Sequence, residues 1–98
     1  MSKLVRDRIP EIIQKEGGTP SFRACGSGEL FDLLRDKLIE EAGELRCVKN
    51  RADAYEEMAD VLEVVDALRA TYDPEHLAQV RELKALTKGR FTKGYVLD

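Results

Sequence analysis

The chain has 98 residues and a formal net charge of −3, with 36% charged and 6% aromatic residues. That length allows one domain at most and buries a modest fraction of the chain's surface, so we expect partner chains. Acidic and basic residues are interleaved, which leaves no basic stripe for a nucleic-acid backbone. No apolar run reaches the roughly 20 residues that span a bilayer, and the start does not resemble a signal peptide. We therefore expect a cytoplasmic protein that has neither nucleic acid nor a membrane as a partner.

The first two predicted helices are separated by a loop. The first helix has Asp7 as a candidate N-cap and Pro10 in its first turn, and it ends at the pair Gly17 and Gly18. A stretch rich in turn-forming residues follows, with a short extended piece expected around Phe22. Apolar residues at helical spacing then predict a long second helix over about 29–49.

Two further helices complete the prediction. The third is expected over about 54–70, after a turn at NRAD. The fourth has Asp73 as its cap, Pro74 at its first position and Gly89 at its end, and an irregular or extended tail follows it. The pattern predicts an all-α fold.

Scarce cysteine and histidine limit the kinds of site that the chain can build. Cys25 and Cys47 are far apart in the sequence, which fits reduced thiols in a cytoplasmic protein. A single histidine, His76, argues against zinc sites made of histidine and cysteine and against catalytic triads. The carboxylates remain as the candidates to carry chemistry.

Two glutamates lie inside apolar helix faces instead of opposite them. Side chains three or four residues apart share a face, so Glu41 is aligned with Leu38 and Leu45. Glu57 is aligned with Val61 in the same way on the third helix. An ionised carboxylate taken out of water without a partner costs several kcal/mol, so a compensating group is expected.

A second acid follows each of these glutamates by one turn, Glu44 after Glu41 and Asp60 after Glu57. Two helices joined by a short turn pack antiparallel, and the four carboxylates would then converge and repel each other unless a cation lay between them. Oxygen ligands favour Mg²⁺ or Mn²⁺. The alternative, an ordinary solvated helix face, stays open for these residues. It is our interpretation of Glu40, Glu56, Glu63 and Asp66.

The segments KLIEEAGEL and EEMADVLEV resemble the paired E-E-x-x-E and E-x-x-D motifs of the all-α nucleoside triphosphate pyrophosphohydrolases, the MazG-like and phosphoribosyl-ATP pyrophosphohydrolase group. The opening KLVRDRIPEII and the tail KGRFTKGYVL are similar to the ends of small members, although Gly89-Arg90 stands where that family's tail has Gly-Gly. The resemblance covers nearly the whole chain. It implies one domain over residues 1–98, a MazG-like bundle of about four helices that is completed by assembly into a homodimer or homotetramer.

The same resemblance implies a site and a reaction. Glu41, Glu44, Glu57 and Asp60 would bind Mg²⁺, with Mn²⁺ as a substitute. A nucleoside triphosphate would be cleaved between its α and β phosphates, giving a monophosphate and pyrophosphate, in the removal of non-standard or surplus nucleotides. One alternative is the hydrolysis of phosphoribosyl-ATP in histidine biosynthesis. Another is a non-catalytic helical interaction module that binds metal.

Further roles are predicted for residues near the metal ligands. Glu44 is our first candidate to position or deprotonate the attacking water, and Glu40, which completes the first motif, is a second. Lys37 lies one turn before Glu41 and could reach a phosphate or Glu41 itself.

Basic residues near the two ends of the chain are the remaining candidates. Those of the tail surround Phe91 and suit a loop that closes over phosphates, although a solvated helix end is the alternative. They are Lys88, Arg90 and Lys93. Arg6 and Arg8 are interpreted as structural.

Overall fold

A computed structural model describes residues 3–98, so the first two residues of the predicted 1–98 domain lie outside the described part. All regular secondary structure in this range is helical, which confirms the predicted class and the number of helices. The helices are α1 (Ile9–Lys15), α2 (Ser27–Arg46), α3 (Arg51–Arg69) and α4 (Pro74–Lys88). The chain forms two compact units, Met1–Leu68 and Arg69–Asp98.

The start of α1 differs from the prediction. The helix begins at Ile9, so Arg8 and not Asp7 occupies the cap position, and it makes no side-chain cap hydrogen bond. A backbone turn replaces the cap, because Ile9 N–H donates to the carbonyl oxygen of Arg6 at 3.1 Å. Gly17 has a φ of 91°, a left-handed conformation that glycine favours, and it ends the helix as predicted.

Helices α2 and α3 form a hairpin joined by residues 47–50. Helix α2 begins at Ser27, two residues before the predicted start, and ends before Cys47. Helix α3 begins at Arg51, three residues earlier than predicted, because Asn50 caps it. The Asn50 side-chain oxygen accepts from Asp53 N–H at 2.8 Å, which satisfies an otherwise unpaired donor of the first turn.

The core of the first unit lies between α2 and α3. Leu34 on α2 is 3% exposed and Val64 on α3 is 8% exposed, and these are the buried apolar side chains among residues 3–98. Both line a cavity of about 620 Å³, which is also lined by α1 and the segment before it. Other large apolar side chains of the same helices are exposed, including Ile39 and Leu62. The first unit therefore has a small core.

The second unit contains α4, which begins and ends where the sequence predicted. Asp73 caps it, and the side-chain Oδ1 accepts from the N–H groups of Glu75 and His76 at 3.0 and 3.2 Å. Gly89, with a φ of 81°, follows its last residue. Residues 89–98 are irregular. In the part of the chain that the structure describes, no helix has the length and apolar character needed to cross a bilayer.

Candidate functional site

The acidic side chains between α2 and α3 form two overlapping groups. Glu40, Glu41 and Glu44 each offer a carboxylate oxygen within 4.8 Å of the others, and the same holds for Glu41, Glu57 and Asp60. Glu41 belongs to both groups and therefore joins them into one carboxylate cluster. The structure thus brings together all four residues that were predicted as metal ligands.

The register of the hairpin explains why these acids meet. Glu41 lies two helical turns after the buried Leu34, and Glu57 lies two turns before the buried Val64. Each acid therefore shares a helix face with the core residue of its own helix. Since the helices run in opposite directions, both glutamates lie on the side of the core that is nearer the connection 47–50.

Two oxygens in the cluster are buried without a hydrogen-bond partner. Glu41 is 6% exposed, and its Oε1 lies 3.4 Å from Lys37 Nζ. Its other oxygen, Oε2, has no partner, and neither does Oε2 of Glu57. A buried polar atom left unsatisfied costs free energy, so such atoms are uncommon unless a ligand or ion completes them. These two oxygens are the observation that distinguishes the cluster from an ordinary acidic surface.

Crowding among the carboxylates changes the protonation of Glu57. Its removal from water, followed by the hydrogen bonds that only its protonated form can donate to Glu41 and Glu44 and by repulsion from their charges, raises the pKa of Glu57 to about 7. The cluster therefore holds a proton near neutral pH when no metal ion is bound.

Two lysines neutralise the α2 side of the cluster. Lys3 Nζ lies 3.1 Å from Glu40 Oε1, and Lys37 Nζ lies 3.4 Å from Glu40 Oε2. The hydrogen bond from Lys3 is the main reason why the pKa of Glu40 is lowered, and the same bond raises the pKa of Lys3. Lys37 thus reaches Glu41, one of its two predicted partners, and bridges it to Glu40.

Arg6 neutralises the α3 side. Its Nη2 lies 2.6 Å from Asp60 Oδ1, and its Nη1 lies 3.7 Å from Glu63 Oε1. The hydrogen bond to Asp60 raises the pKa of Arg6. Arg6, interpreted from sequence as structural, thus has a member of the cluster as its partner.

The nearby positive charges do not balance the negative ones. Three cations, Lys3, Arg6 and Lys37, contact the cluster or its neighbour Glu63. With Glu63 included there are six carboxylates, an excess of three negative charges, or of two when Glu57 keeps its proton. A divalent cation would offset two of these negative charges, and a set of oxygen donors suits a hard cation such as Mg²⁺ or Mn²⁺.

Two assignments from sequence need adjustment. Glu40, interpreted as part of a solvated face, is half-buried and belongs to the cluster. The segment before α1 contributes Lys3 to this side of α2, where it contacts Glu40. Glu63 is exposed as expected, yet it contacts Arg6. Sequence reasoning missed both contacts, because residues 3–8 carry no helical periodicity that would show which way their side chains face.

The predicted phosphate-binding residues of the tail lie in the second unit. Arg90 Nη2 is 3.3 Å from Glu82 Oε2, and Lys93 Nζ is 6.0 Å from the centre of the Tyr95 ring. Lys88 is the exposed last residue of α4. Contact of these residues with phosphates stays a prediction.

Comparison with known proteins gives one partial match. No family model matches the chain. No solved structure matches it. An uncharacterized protein of Mycolicibacterium smegmatis (strain ATCC 700084 / mc(2)155) is 46% identical over 56 residues. The match covers 57% of this chain and 57% of that protein, so it spans little more than half of either.

Proposed function

We propose that this chain is a Mg²⁺-dependent nucleoside triphosphate pyrophosphohydrolase of the cytoplasm, which releases a nucleoside monophosphate and pyrophosphate in the removal of non-standard or surplus nucleotides. The observation that carries the proposal is the pair of unpartnered buried oxygens, Glu41 Oε2 and Glu57 Oε2, inside a cluster with excess negative charge. The resemblance of the two acidic motifs to those of the MazG-like group supports the choice of reaction.

Glu41, Glu44, Glu57 and Asp60 would hold the cation. When bound, it would lower the pKa of a water molecule and offset charge on the phosphates. Glu44 is the exposed member of the four, so it is open to solvent and suited to accept a proton from the attacking water. Glu40, the second candidate to position the attacking water, forms ion pairs with Lys3 and Lys37.

We also propose that the chain assembles as a homodimer or homotetramer. The small core between α2 and α3 and the exposure of apolar residues on every helix support this, since short chains often bury further surface by association. Leu77, Val80, Leu83 and Leu86 are such residues on α4. Light scattering at several protein concentrations tests the assembly, and a monomer throughout would contradict it.

The reaction is tested by measuring pyrophosphate release. The purified chain is offered standard nucleoside triphosphates, oxidised or deaminated ones, and phosphoribosyl-ATP, each with Mg²⁺ or with a chelator. Glu41→Gln and Glu57→Gln should each lower the rate by about 100-fold or more, because each removes a charged ligand. Glu56→Gln is the matched control, since Glu56 is the exposed neighbour of Glu57 and lies outside the cluster.

Each alternative has its own outcome in this experiment. Turnover of phosphoribosyl-ATP alone would favour the histidine-pathway enzyme. Binding of Mg²⁺ without turnover of any nucleotide would favour the non-catalytic interaction module. Equal rates in Glu41→Gln, Glu57→Gln and Glu56→Gln would refute a catalytic role for the cluster.

A further inference from the structure

The segment before α1 is joined to both helices of the hairpin by ion pairs. Lys3 binds Glu40 on α2 at 3.1 Å, and Arg6 binds Asp60 on α3 at 2.6 Å. The Lys3 and Arg6 side chains are 61% and 54% exposed, so both are largely in contact with solvent. Residues 3–6 have no regular secondary structure. The segment therefore crosses the carboxylate cluster and is held there through exposed charges.

The same segment forms a wall of the space beside the cluster. Leu4, Val5, Arg6 and Asp7 line the cavity of about 620 Å³ that is also lined by Glu41 and Asp60, and they line a second cavity of about 760 Å³ as well. A ligand bound in the first cavity beside Asp60 would therefore lie close to Arg6.

The position of Arg6 conflicts with a cation at Asp60. A divalent cation bound by this carboxylate would lie close to the guanidinium group, and the two positive charges would repel each other. Exposed ion pairs contribute little to stability, so breaking the pair between Arg6 and Asp60 has a small cost. Once released, a guanidinium or ammonium group can bind phosphate oxygens. Mg²⁺ that is held by only a few carboxylates also takes phosphate oxygens as ligands.

We propose that Lys3 and Arg6 are exchangeable counterions. In the metal-free protein they neutralise Glu40 and Asp60; when a divalent cation binds, they leave these carboxylates and bind the phosphate groups of the substrate. The inference rests on the proposed function, and it assigns phosphate-binding residues to the segment before α1.

The metal step is tested by calorimetric titration of the full chain with Mn²⁺ alone. Arg6→Gln removes the competitor for Asp60 and should tighten Mn²⁺ binding by about three- to tenfold. Lys3→Gln should act in the same direction. If Arg6 instead served to orient Asp60 as a ligand, its removal would weaken Mn²⁺ binding, and this result would overturn the proposal.

The phosphate step is tested with inorganic tripolyphosphate, which has no base or sugar and so needs no knowledge of the preferred nucleotide. In saturating Mn²⁺, Arg6→Gln should bind it about tenfold more weakly, whereas Arg6→Lys, which keeps the charge, should lose less. Unchanged affinity in Arg6→Gln would overturn the proposal. If circular dichroism shows that Arg6→Gln is unfolded, the affinity of Lys3→Gln for tripolyphosphate tests the same step.

The control is Arg23→Gln. Arg23 carries the same charge, but it pairs at 2.6 Å with Glu29, which lies outside the cluster, and it does not line the first cavity. Both affinities should stay within about twofold of wild type, because exposed charges at longer range are screened. An equal change in Arg23→Gln and Arg6→Gln would show that only net charge matters and would overturn the exchange. If wild type binds Mn²⁺ and releases pyrophosphate while Arg6→Gln changes neither affinity, the inference fails and the proposed function stands. If wild type does neither, both fall.

Discussion

Protonation of Glu57 should make metal binding depend on pH near neutrality. The pKa of Glu57 is raised to about 7 by burial and by Glu41 and Glu44 beside it. A carboxylate must lose its proton to bind a metal ion, so the proton favours the metal-free state and affinity should rise with pH. The protonated fraction is about ten elevenths at roughly pH 6 and about one eleventh at roughly pH 8, so the apparent dissociation constant should fall about tenfold across this range.

Titration calorimetry with Mn²⁺ in buffers of different ionisation enthalpy measures both the affinity and the protons released. About 0.9 proton should be released per Mn²⁺ at roughly pH 6, about half a proton at roughly pH 7 and about 0.1 at roughly pH 8. Glu57→Gln has no proton to lose at this position, so its affinity should be weaker and nearly constant over the same range. A constant affinity in wild type, or the same pH dependence in Glu57→Gln, would refute the assignment to Glu57.

Three further predictions concern the stability of the metal-free fold. The pKa of Glu57 is raised from 4.5 to about 7, so its contribution to stability is full below about pH 4.5 and is lost as pH rises through about 7. When melting temperatures are measured in the presence of a chelator, the wild-type value minus the Glu57→Gln value should therefore fall over this pH range. Leu34→Ala should lower the free energy of unfolding in urea by about 2–5 kcal/mol, whereas the exposed Ile39→Ala should cost less than about 1 kcal/mol, and equal losses would contradict the position of the core. Asp73→Ala should cost about 1 kcal/mol and reduce helicity by circular dichroism, because two N–H groups lose their acceptor; unchanged helicity would argue against the cap.

Helical periodicity was sufficient to predict the centre of the site. Glu41 and Glu57 share helix faces with Leu34 and Val64, and burial of those faces is the main force that sets the hairpin's register. Any packing that buries the apolar faces therefore also brings the acids together. The predicted start of α3 is three residues too late because the Asn50 cap lies inside the stretch NRAD, which indicates a turn, although this boundary does not change which side chains face inward.

The charges around the cluster were not predictable in the same way. Lys3 and Arg6 lie on an irregular segment, where no repeat links sequence position to direction. Their partners Glu40 and Asp60 are more than 30 residues away in the chain, so the contacts depend on how the segment lies across the hairpin. Asp7 was a plausible cap by residue type, but the backbone turn at Arg6 provides the acceptor instead.

The connection 47–50 makes the carboxylate cluster a local structure of the chain. Glu41 and Glu57 are 16 positions apart, and contacts of such short range form early, within microseconds to milliseconds in small helical proteins. The acids therefore meet while the hairpin is closing, and their repulsion opposes closure at that moment. A proton or a divalent ion that joins them would relieve this repulsion, so ions in the surrounding solution should speed the folding of the chain.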